Sequence, residues 1–535
     1  MVFSSLIFLF LFLPVNLAVY YAVPRGTRNA VLLITSLAFY GWGEPLYIAV
    51  MLFSISVAYI FGYFTGKYRE TNRKRAKLCL TVSTVLNLAA LLFFKYYNFF
   101  AETFGGTTIE RFILTNFSVI SVFVVLVAVC VCSALLMSGL SLRVRKTAAL
   151  AVGVAAVAVI AAGTLSNGSG TVGVFLSTEI TIPFTLPIGI SFYTFQIMSY
   201  TFDVYRGDGS VQRSIVPFAA YVTLFPQLIA GPIVRYHDVD EQLSQRTHSF
   251  EKFACGVRTF TAGLAKKVIL ADGCAALKEL LDATGTEEPT VVGAWMAVVA
   301  FSFQLYFDFS GYSDMAIGLG RMFGFEFLEN FNYPYISSSI TDFWRRWHIS
   351  LSTWFKEYLY IPLGGNRKGL ARQYLNIATV WLVTGFWHGA AWNYVLWGAY
   401  FGVLLIIEKA FLLKRLERAP AFLRHAYALL FILIGWLIFA YEDMSLGLSV
   451  LRGMFGIGTS AFVTDGVAYD ILRFVPLLLI CVVGSTPLPK RLYRQTFERG
   501  PAMRAVWTAA GAGALLLCVA YMVDSTFSPF LYFIF

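Results

Sequence analysis

Charge is what this sequence has least of: Asp, Glu, Lys and Arg make up 13% of 535 residues, against 58% hydrophobic residues. With a mean hydropathy of +0.69, the chain has too little charge to cover a water-soluble surface of its size, and repeated membrane spans fit instead. Cysteine is sparse as well, seven in all, with no C-x-x-C pair and no histidine at ligand spacing. Cys130 and Cys132 stand one residue apart and read as buried thiols, not as a metal site or a disulfide. The H-E-x-x-H, G-x-S-x-G and P-loop patterns are missing, which removes zincin, nucleophile-elbow hydrolase and Walker-type nucleotide chemistry. The amino terminus has no basic n-region and no small-residue cleavage site, so its apolar run reads as a retained first span. Internal repeats, long low-complexity tracts and a separate soluble domain are all lacking, so residues 1–535 read as one helical membrane domain.

What is present is a ladder of apolar runs. Candidate spans lie at about 2–22, 29–43, 46–66, 78–101, 113–140 and 147–165, then near 214–234, 251–271, 290–320, 373–390, 392–412, 423–440, 470–487 and 505–522, each judged against the ~20 residues a crossing needs. The net charge of +11 sits in short connections: Arg25 and Arg28, Lys67 to Lys77, Arg143 to Lys146, Lys409 to Arg418, and Lys490 to Arg499. That distribution is the positive-inside pattern and not a nucleic-acid surface. It makes those loops cytoplasmic and both termini extracytoplasmic. The polar loop at 163–171 then faces outward. The run from Pro183 to Tyr205, interrupted by Pro183, Pro187 and Gly189, reads as a broken or re-entrant helix. Within 290–320, Gln304, Asp308, Ser310, Ser313 and Asp314 demand polar surroundings. Gly320/Gly324, Gly385/Gly389 and Gly398/Gly402 have G-x-x-x-G spacing, which close helix packing explains.

Five histidines keep the list of candidate bases short. His237 and His248 sit in a polar stretch and read as surface residues; His425 follows a basic run and reads as interfacial. The block 341–392 is different, because it places Arg345, Arg346, His348 and Lys356 among aromatics, and His388 in the apolar G-F-W-H-G-A-A-W-N. If its first part is helical, Arg345, His348 and Ser352 share a face while Trp344 and Trp347 anchor neighbouring interfacial surfaces. An aromatic-basic helix meeting lipid phosphates explains that pattern as well as substrate contact does. For His388, a neutral imidazole in a low-dielectric cavity suits a general base, and a packed, hydrogen-bonded histidine suits the residues equally.

Beyond the two histidines, the motifs FYTFQIMSYTFDVYRG (192–207), FPQLIAGPIVRY (225–236), GLAKKVILAD (263–272) and FSFQLYFDFSGYSDMAIGLGRMFGFEF (301–327), together with the 341–392 block, resemble the membrane-bound O-acyltransferase (MBOAT) family. The resemblance is nearest to its bacterial alginate O-acetyltransferase (AlgI-like) branch. It implies an all-α polytopic fold of roughly 11–14 membrane helices, broken or re-entrant segments included, around a central tunnel. It further implies His388 as the catalytic base and His348 as the assisting residue, with 341–392 as the core of the catalytic region. Trp344, Arg345, Ser352, Asn376, Trp387, Trp392, Asn393 and Gln196 are candidates for lining the tunnel or positioning reactants.

The donor implied is a cytoplasmic thioester, acetyl-CoA, with no tightly bound cofactor and no metal. The implied partners are an extracytoplasmic SGNH-type acetyltransferase, polysaccharide export machinery and membrane lipids of the bacterial inner membrane, and no nucleic acid. The ending FSPFLYFIF resembles the aromatic tail of this branch and is compatible with partner docking or with interfacial anchoring. D-alanyl transfer from a charged acyl carrier protein, transport of a polysaccharide or lipid-linked intermediate, and a membrane scaffold are the competing readings. Paired histidines serve neither of the last two.

Overall fold

The computed structural model describes residues 1–45, 47–103, 147, 186–524 and 530–531. The expected spans at 113–140 and 147–165 (apart from Thr147), the loop at 163–171, Cys130, Cys132 and Pro183 lie outside the described residues, as does most of the aromatic ending. Among the described residues the secondary structure is helical, relieved by one isolated parallel bridge between Thr290 and Ala461. Among the described residues seven helices are long and apolar enough to cross a membrane, and a shorter apolar one runs over Phe8–Ala22. The chain is thus an all-α, multi-pass membrane protein. Its contacts divide into two compact units, one of residues 19–229 with 235–245, the other of residues 2–18, 230–234 and 246–535.

In the first unit the helices Ile48–Arg69, Arg73–Thr103 and Ile190–Arg206 pack on one another. Gly62 makes room for Tyr200, whose ring a Cβ there would strike. The helix Ile190–Arg206 is continuous and not broken, because Pro187 and Gly189 precede it. Gly189 takes φ +78°, close over the Leu228 carbonyl, a conformation a side chain would resist. The expected span at 214–234 is instead two short helices, Ile215–Thr223 and Phe225–Leu228. Leu224 leaves the helical region, Pro226 starts a new turn, and the Phe225 N–H donates to Ser36 Oγ at 3.1 Å.

The second unit is organised around Val291–Met322, a single helix of 32 residues in which more than half of the best spanning window is buried (56%). Phe250–Ala265 crosses it where Gly256 meets Gly318 and Gly263 meets Gly311, each pair so close that an added Cβ would strike the opposite carbonyl. Leu370–His388 and Trp392–Ile407 cross in the same way at Gly385 and Gly398, in agreement with the packing reading of the third glycine pair; of the second, only Gly385 lies in the helix, and Gly389 is the extended residue after it. The first pair differs: Gly324 lies beyond the helix end with φ +89°. By contrast, only 11% of the Asp465–Gly484 window and 6% of the Pro501–Asp524 window is covered by protein, leaving their apolar side chains for lipid.

Candidate active site

His388 is the last residue of the helix Leu370–His388; Gly389 then turns to extended backbone, and the next helix begins at Trp392. The imidazole is buried and set edge-on to Trp387, Trp397 and Phe439, with ring centroids 5.0, 4.9 and 5.5 Å away. These rings exclude water from one side of the imidazole and fix its plane.

His348 does not lie in one helix with Arg345 and Ser352. It separates two short helices, Ile340–Arg346 and Ile349–Phe355, and carries φ +45°, ψ +54°. A left-handed histidine is strained unless its surroundings hold it there. Asn330 does so: its carbonyl accepts from the Ile349 N–H at 2.9 Å, and its Oδ1 accepts from the Ser350 N–H at 3.2 Å and Ser350 Oγ at 2.9 Å. The same Oδ1 lies 3.1 Å from His348 Nδ1, and Asn330 Nδ2 donates to Ser313 Oγ at 3.1 Å. Because an amide oxygen can only accept, the arrangement puts the proton on Nδ1 and the lone pair on Nε2. Nε2 is buried with no hydrogen-bond partner among the described residues. Burial pushes the His348 pKa down to about 3, so the ring is neutral near pH 7.

Trp387 connects the two histidines, its ring 6.5 Å from that of His348 and 5.0 Å from that of His388. Phe309 stands edge-on to His348 at 4.7 Å, and behind it Phe530 packs on Tyr312 at 4.5 Å. The Leu531 N–H donates to Asp308 Oδ2 at 2.9 Å, while Asp308 Oδ1 pairs with Lys267 at 3.1 Å. Asp308 of the long helix thus finds its partners in a buried ion pair and in Leu531, while Gln304 Oε1 and Ser310 Oγ are buried with no hydrogen-bond partner among the described residues.

The remaining candidates separate. Trp344 is buried rather than interfacial, edge-on to Trp381 at 4.5 Å and near Trp397 and Phe401; Trp347 is buried with it. Ser352 Oγ donates to the Trp344 carbonyl at 3.3 Å and holds the two short helices together. Asn393 Nδ2 donates to the Phe439 carbonyl at 3.2 Å, which positions the ring beside His388. Asn376 donates to the Gly365 carbonyl at 2.9 Å, well down the helix from His388. Trp392 is 56% exposed. Gln196 is buried in the other unit, where its backbone carbonyl accepts from Ser199 and Tyr221. Arg345 is exposed and lines a separate cavity of about 440 Å³. Among the described residues no three His, Cys, Asp or Glu side chains converge as a metal site.

Two residues escaped the sequence reading. Asn330 offers no signal, since its partner lies 18 residues away and no periodicity links them. Glu408 does, being an acidic residue inside the apolar run GVLLIIEKAFLL. Its buried carboxylate accepts from the Ile340 and Thr341 N–H groups at 2.7 and 2.8 Å and from Thr341 Oγ1 at 2.6 Å, capping the helix that leads to His348.

Residues 206–451 match the membrane-bound O-acyltransferase family. The chain is 38% identical over 515 residues to the probable alginate O-acetylase AlgI of Azotobacter vinelandii, covering 94% of this chain and 88% of that one. Against the protein of the same name from Pseudomonas aeruginosa the identity is 40% over 462 residues, covering 86% and 76%. The peptidoglycan O-acetyltransferase of Helicobacter pylori is 31% identical over 497 residues, covering 85% and 80%.

Proposed function

Because the chain belongs to the membrane-bound O-acyltransferase family, an acyl-transferring class of enzyme, we propose that it moves acetyl groups from cytoplasmic acetyl-CoA across the bacterial inner membrane, for O-acetylation of an exported polysaccharide such as alginate. The observation that carries this reading is that His348 and His388 both lie beside Trp387 in a buried aromatic setting. His388 takes the proton of an acceptor hydroxyl, whose oxygen attacks the thioester carbonyl. The thiol leaves with a proton, and the acyl group passes to the oxygen. His348, neutral and presenting Nε2 as an acceptor, holds the hydroxyl in line; Asn330 and Glu408 position His348 and its helix. Residues 341–392 form the core of the catalytic region within one membrane domain of 1–535.

The termini face the extracytoplasmic side, where an SGNH-type transferase completes delivery to the glycan alongside the export machinery. The test is thiol release from acetyl-CoA by purified protein in nanodiscs with that partner supplied. His388→Ala is expected to lower turnover by about a hundredfold to ten-thousandfold while the protein stays folded. Undiminished turnover sinks the general base; turnover with a charged carrier protein alone replaces acetyl-CoA as donor.

A further inference from the structure

Several side-chain donors around His388 are already committed. Thr384 Oγ1 donates to the Val380 carbonyl at 2.7 Å, Asn393 Nδ2 to the Phe439 carbonyl at 3.2 Å and the Tyr394 hydroxyl to Glu442 at 3.3 Å. The indole of Trp397 differs. It is 1% exposed, and its Nε1–H has no acceptor among the described residues. The rings packed round it are those of His388 at 4.9 Å, Phe439 at 5.3 Å, Phe401 at 5.4 Å, Trp344 at 5.5 Å and Trp436 at 6.3 Å. Apart from the imidazole, none of these carries a lone pair that could accept from it. An unpaired N–H held away from water costs free energy, and a Phe would fill an apolar site without that cost. A buried donor kept in this state against the proposed base marks a place where an acceptor arrives with the substrate. Trp344 Nε1 lacks an acceptor as well, but its ring packs on Trp381, two turns before His388.

The backbone fixes Trp397 relative to His388. Their helices cross where Gly385, three residues before His388, meets Gly398, the neighbour of Trp397; a Cβ on Gly398 would come within 2.9 Å of Gly385 Cα. At Gly389, just beyond the imidazole, the Tyr394 ring fills the space a side chain would take. Donor and base are therefore set by backbone packing, and a dipole fixed in advance stabilises charge without reorganising.

The transfer needs such a dipole. As the hydroxyl deprotonated by His388 attacks the thioester, the new C–O bond forms and the carbonyl π pair moves onto its oxygen. The pair returns as the C–S bond breaks, and the thiolate takes the proton that His388 removed. Between these events the carbonyl oxygen carries negative charge in a site walled by rings, where an N–H donor is worth more than in water.

We propose that Trp397 Nε1–H donates to the acyl carbonyl oxygen and stabilises this oxyanion. The inference rests on the transferase reading above and deepens it by naming a second catalytic residue.

The experiment replaces the indole N–H at position 397 by sulfur, incorporating 3-benzothienylalanine, a bicyclic ring of nearly the same shape that cannot donate. Thiol release from acetyl-CoA is then measured on the full-length protein in nanodiscs with the extracytoplasmic partner supplied, beside wild type and His388→Ala. The analogue is expected to lower kcat by about a hundredfold to a thousandfold, to leave KM unchanged, and to unfold at or above the wild-type temperature, because an unpaired buried donor has been removed. Trp397→Phe, expected to lower kcat in the same way, serves if the analogue gives no folded protein. Wild-type kcat in the folded analogue overturns the proposal. So does a rise in KM at constant kcat, which would make the N–H a ground-state contact, or a fall in unfolding temperature with the fall in kcat, which would make it a structural bond. Loss of turnover in His388→Ala with wild-type turnover in the analogue sinks the oxyanion donor and leaves the transferase reading. Absence of thiol release by the folded wild type sinks both.

Discussion

At the scale of single residues, Asn330 decides what His348 can do. One amide oxygen receives three donors from the segment around the histidine, so replacing it strands buried polar groups and frees the ring to change tautomer. Asn330→Leu is expected to cost about 1–3 kcal/mol of stability and to lower turnover roughly tenfold to hundredfold, read as kcat on protein of verified fold; an unchanged kcat would show that the tautomer does not matter. His348 itself was readable from sequence, as an isolated histidine among aromatics, but its left-handed backbone was not, because the contact imposing it comes from outside the local chain.

His237 is the opposite case, a histidine read as surface decoration that is instead held by Asp203, with Nδ1 2.9 Å from Oδ2. That hydrogen bond outweighs partial burial and raises the His237 pKa. A raised folded-state pKa means that the stabilisation is fully present below the unfolded value, about 6.5, and is lost as pH rises through the folded one. The Tm difference between wild type and His237→Gln should therefore be largest in mildly acidic buffer and shrink at alkaline pH; a gap independent of pH would contradict the ion pair.

At the scale of elements, helix identity was legible where an apolar run was long, as in Ala421–Ala440, and even across Pro476 in Asp465–Gly484. It failed where the chain leaves the helical region inside an apolar run, at Leu224, since hydropathy is blind to backbone direction. Glycine spacing carried more information. A methyl at Gly385 would strike the Tyr394 carbonyl and come within 3.0 Å of Gly398 Cα, backbone that cannot swing aside. Gly385→Ala should cost about 1–3 kcal/mol and displace the helix ending in His388. Gly402→Ala, which meets only Trp381 Cβ at 3.1 Å, should cost less. Thermal unfolding in nanodiscs reads both, and equal losses would show that the crossing has more room than its glycines suggest.

At the scale of the whole molecule, composition alone announced a membrane protein, and the motif set announced its family. Neither reported the partition into two compact units, because contacts between distant segments leave no periodic trace in a sequence. Nor did it report how unevenly the spans are covered, from 61% of the Ile48–Arg69 window to 6% of Pro501–Asp524. Hydropathy measures what lipid would accept, not what protein already covers.

Tyr312 has Phe3 stacked against it at 4.7 Å and Phe530 at 4.5 Å. Residues 3 and 530 thus share one aromatic contact, next to the Phe309 that flanks His348. So wide a separation makes this among the costliest loops the chain closes. Residue 530 is made last of these, so a nascent chain, though largely helical, lacks the ring behind Phe309 until translation has passed that point.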